Sequence, residues 1–146
     1  MKLSKNTIIG LSLLLTGLLW SIPHAVMGQP TNSIVAVKAE SSGMVNKIWI
    51  QTSSEPAYTV YELFNPSRIV VDIANTAIQE GSAIKIPSSI PVSLTTTSVT
   101  ETTPSLTRLE FTFTNPYATY DVKTVNTAIQ LSVTMSETRP ASTAPG

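Results

Sequence analysis

The sequence predicts an all-β fold: a sandwich of two small, pseudo-symmetric and mostly antiparallel sheets. Three observations lead there. Beyond residue 28 the chain is rich in Val, Ile, Thr and Tyr, and no stretch shows the apolar period of an amphipathic helix. Alternation of period two recurs instead in short runs, each broken by Pro, Asn, Gly or Ser. The layout of those runs also repeats, at a spacing of about 60 residues.

Strands are predicted near Ser33–Ala39, Lys47–Thr52, Tyr58–Leu63, Arg68–Ile73, Ala83–Ile86, Val92–Val99, Thr107–Thr114, Tyr120–Lys123 and Ala128–Thr134. Turn signals separate them at Ser42-Gly43, Ser54-Glu55-Pro56, Asn65-Pro66, Glu80-Gly81, Pro87 and Asn115-Pro116. Successive side chains of a strand point to opposite faces, so alternation says which face is buried. Ile69, Val71 and Ile73 share one face, against Arg68, Val70 and Asp72 on the other. Leu109, Phe111 and Phe113 oppose Arg108, Glu110 and Thr112, and Ile48 and Ile50 oppose Trp49 and Gln51. Leu131 and Val133 repeat the pattern against Ser132 and Thr134. One apolar and one mixed face per strand is what a two-layer sandwich requires.

The repeat sets KIWIQTSSEPAYTVYELFNPSRIVVDI, from Lys47, beside TRLEFTFTNPYATYDVKTVNTAIQLSV, from Thr107. Each reads strand, polar turn with proline, Tyr-led strand, Asn-containing turn, alternating strand. Two halves of similar shape imply internal pseudo-symmetry; an ordinary antiparallel meander is the alternative source of such spacing.

Ahead of the strands stands the layout of a secretory signal peptide. Lys2 and Lys5 form a positive head, an apolar run extends from Ile8 to Trp20, and Pro23 precedes small residues. The run is shorter than the ~20 residues a membrane-spanning helix needs. Val26 and Gly28 suit the −3 and −1 positions, so cleavage is expected between Gly28 and Gln29, with an uncleaved anchor as the alternative. The chain has no cysteine, which excludes disulfides and a lipid-bearing leader. After residue 28 about 118 residues remain, enough for one domain with a single core. The domain is expected over residues 29–135, and from Ser136 the composition shifts to SETRPASTAPG, a linker or tail without apolar periodicity. Such a tail suits either the end of the protein or the front of a longer one.

Charge and chemistry exclude several functions. From Gln29 onward seven basic residues stand against nine acidic ones, a net charge of −2, and the basic residues are scattered singly in sequence. Neither nucleic acid nor an anionic membrane surface is an expected partner, since both demand a clustered positive patch. The single histidine, His24, lies in the leader, so the exported part offers neither His nor Cys to a zinc ion, and no metal or cofactor is expected. Its serines have no histidine to act as base. Glu101 and Glu110 are not singled out as the facing carboxylate pair a glycosidase needs.

The segment from Ser33 to Val133 resembles the AMIN domain, an envelope module at the front of N-acetylmuramoyl-L-alanine amidases and type IV pilus secretins. The likeness is carried by SIVAVKAESSGMVNKIWIQTSSEPAYTVYELFNPSRIVVDI, above all Phe64–Ile73, then PVSLTTTSVTETTPSLTRLEFTF, and then YDVKTVNTAIQLSV from Tyr120. It implies a sandwich of two similar sheets in the periplasm that holds its protein at the cell wall by binding peptidoglycan. A secretin or another envelope protein is the alternative partner, and a detached front module of an amidase the alternative parentage. Without His or Cys, the amidase reaction itself is not expected of this polypeptide. Peptidoglycan offers apolar sugar faces, hydroxyls and carboxylates, which aromatic platforms and arginine forks recognise. The candidate ligand-binding residues are therefore Arg68, Asp72, Arg108 and Glu110 on outward faces, with Tyr58, Tyr61 or Trp49 nearby. The alternative for Arg68 and Asp72 is cross-strand pairing with Glu110 or Arg108 that fixes register.

Overall fold

The computed structural model describes residues 30–137. The expected leader, its cleavage point and most of the Pro/Ser/Thr tail lie outside these residues. Nine strands follow in order: β1 Asn32–Ser42, β2 Val45–Thr52, β3 Tyr58–Leu63, β4 Arg68–Ala74, β5 Thr76–Ile84, β6 Val92–Val99, β7 Leu106–Phe113, β8 Tyr117–Val125 and β9 Ala128–Met135. They build two sheets, one ordered β5-β1-β2-β9-β8 and the other β3-β4-β7-β6. Every pairing is antiparallel except β1 with β5.

This topology explains the repeat. In the first half, β1 and β2 pair in one sheet and β3 and β4 pair in the other. In the second half β6 and β7 join β4's sheet, while β8 and β9 join β2's. Each sheet thus takes one hairpin from each half, and β2 meets β9 as β4 meets β7. Ile69, Val71 and Ile73 of β4 correspond at a spacing of 60 to Ile129, Leu131 and Val133 of β9, and all six are fully buried.

The core lies between the sheets, with Ile34, Val37, Ile48 and Ile50 from β1 and β2 and Ile129, Leu131 and Val133 from β9. The four-stranded sheet contributes Ile69, Val71, Ile73, Leu109, Phe111 and Phe113. Ile34 and Val37 share the inner face although three residues apart, because the β1 register shifts between Ile34 and Ala36. One long side of the sandwich is bridged by Tyr117, whose hydroxyl donates to Glu62 Oε1 at 2.9 Å. Thr124 Oγ1 donates to the Tyr58 hydroxyl at 3.3 Å on the same side. Opposite, the buried Thr107 hydroxyl of β7 donates to the Thr76 carbonyl of β5.

The fifth strand departs from expectation. Alternation predicts it over Ala83–Ile86 after a turn at Glu80-Gly81, but it begins at Thr76, runs through that turn signal and ends at Ile84. Its register against β1 jumps from Ile34↔Ile78 to Ala36↔Ala83, so the glycine serves a wide bulge inside the strand. Gly81 has φ +74°, a conformation that disfavours side chains. A turn signal and a bulge signal use the same residue for the same reason.

Candidate functional site

Five of the candidate residues meet on the outer face of the four-stranded sheet. On β4 the outward positions are Arg68, Val70 and Asp72; the facing positions on β7 are Thr112, Glu110 and Arg108, and Tyr61 of β3 lies beside Val70. Arg108 grips Asp72 with both prongs of its fork, Nε to Oδ1 and Nη2 to Oδ2, each at 2.8 Å. Arg68 Nη1 donates to Glu110 Oε1 at 2.8 Å. The Tyr61 hydroxyl reaches Asp72 Oδ2 at 3.4 Å, and the Arg108 guanidinium sits 5.8 Å from the centre of the Tyr61 ring. Val70, between the two ion pairs, is fully buried although it points away from the core.

This arrangement favours a structural part for the four charges. Both arginines already hold carboxylates across β4 and β7, and the face is electrically balanced there. Arg68 Nε is buried and makes no hydrogen bond among the described residues. The hydrogen bond to Asp72 raises the Arg108 pKa, so this guanidinium stays charged throughout the accessible pH range.

Tyr58 is the exception to the grouping. It pairs with Ile73, which turns its ring to the inner side, where it packs against the core. Tyr58 and Tyr61 are three residues apart on one strand and must point oppositely. That strand end borders an open, mostly apolar hollow of about 430 Å³, which Asp72, Thr103, Pro104 and Leu106 also line.

Several tyrosines are held protonated. Burial, followed by the hydrogen bond to Glu62, pushes the Tyr117 pKa above the ordinary phenol range. Burial also raises Tyr120, and burial followed by Asp72 raises Tyr61. A raised folded-state pKa stabilises fully below the unfolded value of about 10 and is lost as pH rises beyond it. Stability is therefore expected to fall above pH ~10. Tyr117→Phe should flatten that fall in thermal melts run across alkaline pH; an unchanged slope would show that Tyr117 does not carry it.

The other outward face, on the five-stranded sheet, carries Trp49. Across β1, β2, β9 and β8 one transverse row reads Lys38, Trp49, Gln130, Lys123. The next rows read Glu40, Lys47, Ser132, Asp121 on one side and Ala36, Gln51, Ala128, Val125 on the other. Trp49 is half-buried, Lys38 and Lys123 are exposed, and the Gln51 amide donates to Thr127 Oγ1 at 2.9 Å. Gln130 shares the Trp49 face, which alternation within β9 shows, but its position beside the indole depends on register and is not visible in the linear sequence.

The described residues hold no cluster of three or more His, Cys, Asp or Glu able to grip a metal ion. Ser82 and Lys85 stand at the Ser-x-x-Lys spacing of some serine nucleophiles, but Ser82 lies in β5 and Lys85 one residue past its end, and in extended chain residues three apart face opposite ways, which keeps lysine from serine. No described helix is long and apolar enough to cross a membrane.

The described residues thus form a two-sheet sandwich in which β4 and β7 hold two ion pairs on the outer face of the four-stranded sheet. The AMIN domain family model matches residues 34–135, which spans the sandwich from β1 to the end of β9, and the chain belongs to that family. AMIN domains are non-catalytic periplasmic modules of amidases and secretins that bind peptidoglycan or localise at the envelope. A search among curated proteins found no match.

Proposed function

We propose that this chain is a non-catalytic periplasmic module that binds peptidoglycan and localises itself, or a protein it belongs to, at the cell wall. Membership of the AMIN family across the whole sandwich carries the reading. The sequence supports it in two further ways: the leader layout suits export, and no His or Cys remains after residue 28 for zinc-dependent cleavage.

The test is co-sedimentation with purified, protein-free sacculi, using protein recovered from the periplasm, whose intact mass should place Gln29 first. Saturable sedimentation is expected. In the same tubes, dye-labelled sacculi should release no more dye than buffer, with or without added zinc. A protein that stays in the supernatant would overturn the reading and favour a protein scaffold instead; dye release above buffer would overturn its non-catalytic part.

A further inference from the structure

We infer that the glycan strand of peptidoglycan lies on the outer face of the five-stranded sheet, across Trp49, and not on the arginine-bearing face. This rests on the peptidoglycan reading above and assigns it a surface.

Charge is distributed unevenly between the two outer faces. Lys38, Lys47 and Lys123 all point outward on this sheet, and Lys85 extends the same row beyond β5, where its N–H bonds the Val37 carbonyl at 3.3 Å. These are all the lysines among the described residues, and there none of them forms an ion pair. The rows of β1, β2, β9 and β8 set Glu40 and Asp121 against them on this face, and Glu80 of β5 lies exposed in the unpaired bulge. Both arginines of the other sheet are already committed to carboxylates. Positive charge available to an anionic polymer is therefore concentrated here.

Beside the indole lies an unpaired amide. Gln130 is only 9% exposed, lies between Trp49 and Lys123, and its side chain makes no hydrogen bond among the described residues. Its amide atoms are not sealed off, since Arg68 Nε is the one buried side-chain nitrogen or oxygen without a partner among the described residues, so they open to solvent and are free to bond a ligand. An acetamido group of an amino sugar could both donate to and accept from it.

Ala36 and Ala128, diagonal neighbours of Trp49, are too small to rise beside the indole. The ring is left as a platform for the apolar face of a sugar, with an amide beside it and lysines at either end. From Lys38 to Lys123 is three strand spacings, about 14 Å, wider than one pyranose ring. Free carboxylates of the stem peptides, which branch from the glycan through the lactyl amide, then fall within reach of the lysines.

The experiment measures half-saturation on purified, protein-free sacculi for the unsubstituted protein and three variants. Trp49→Ala is expected to weaken binding about tenfold, by loss of stacking. Lys38→Gln with Lys123→Gln should weaken it several-fold and flatten its salt dependence. Thr97→Glu, on the opposite sheet, should leave it unchanged. Trp49 is the only tryptophan after residue 28, so its emission should also shift when muramidase-solubilised wall fragments are added. That readout, with the lysine variant, decides the matter if Trp49→Ala fails to fold. Full binding by folded Trp49→Ala, an unmoved emission, or loss of binding in Thr97→Glu alone would overturn this face while leaving peptidoglycan binding intact. Failure of the unsubstituted protein to sediment would remove both. Sedimentation only with sacculi that retain their proteins would put a protein here and overturn the proposal too.

Discussion

Phe111→Ala is expected to destabilise the domain by about 3–5 kcal/mol and lower its Tm by roughly 15–20 °C. Phe111 is the largest fully buried side chain, on central strand β7, between Ile69 of β4 and Leu94 of β6. Burying such a side chain is worth roughly 1.5–3 kcal/mol in transfer alone, and the cavity left behind adds to the loss. A core that meets across only two layers has few ways to refill that space. Its neighbour Thr112, pointing to the outer face, should by contrast cost no more than about 0.5 kcal/mol as Thr112→Ala. Denaturant unfolding checks both: the Phe111 variant should lose midpoint with little change of slope. A loss below about 1 kcal/mol would mean that the sandwich is not organised around Phe111.

The contrast between these neighbours was legible in the sequence because strand alternation is a strictly local signal. Ile69, Val71, Ile73, Leu109, Phe111, Phe113, Ile48, Ile50, Leu131 and Val133 all fall on the buried face that alternation assigns them. The nine strands follow for the same reason, and so does the doubled layout, since each half repeats one pair of hairpins. What failed was non-local. The Glu80-Gly81 signal marks a backbone that must turn aside, but only the pairing of β5 with β1 determines whether it leaves the sheet. Val70 reads as a residue on a mixed face, yet it is fully buried between two ion pairs whose second partners come from β7. Tyr58 reads as a neighbour of Tyr61, and parity within their own strand already separates them. Alternation likewise puts both Trp49 and Gln130 outward, but their adjacency needed the register of β2 against β9. For the candidate charges, the sequence left ligand contact and cross-strand pairing as alternatives, and the geometry favours pairing.

That preference makes the second large effect a structural one. Asp72→Ala is expected to cost about 1–2 kcal/mol and to leave sedimentation with sacculi unchanged in protein kept well below its melting temperature. The Asp72 side chain is 11% exposed and accepts both prongs of Arg108, whereas the Arg108 side chain is 38% exposed. Charge-assisted hydrogen bonds contribute about 1.5–3 kcal/mol when enclosed, and solvent around Arg108 puts this pair toward the lower end. Once Asp72 is gone, the guanidinium can turn toward water, which limits the penalty of leaving it unpaired. The pair also selects register. Asp72 stands directly opposite Arg108, while Arg68 reaches diagonally to Glu110, so sliding β4 by two residues would set Arg108 against Val70. A double-mutant cycle of Asp72→Ala with Arg108→Ala should therefore give a coupling near 1 kcal/mol, because each partner is worth little without the other. The same cycle read on sacculi should give no coupling. Coupling in the binding data, with additive stabilities, would return these residues from holding β4 against β7 to touching the wall.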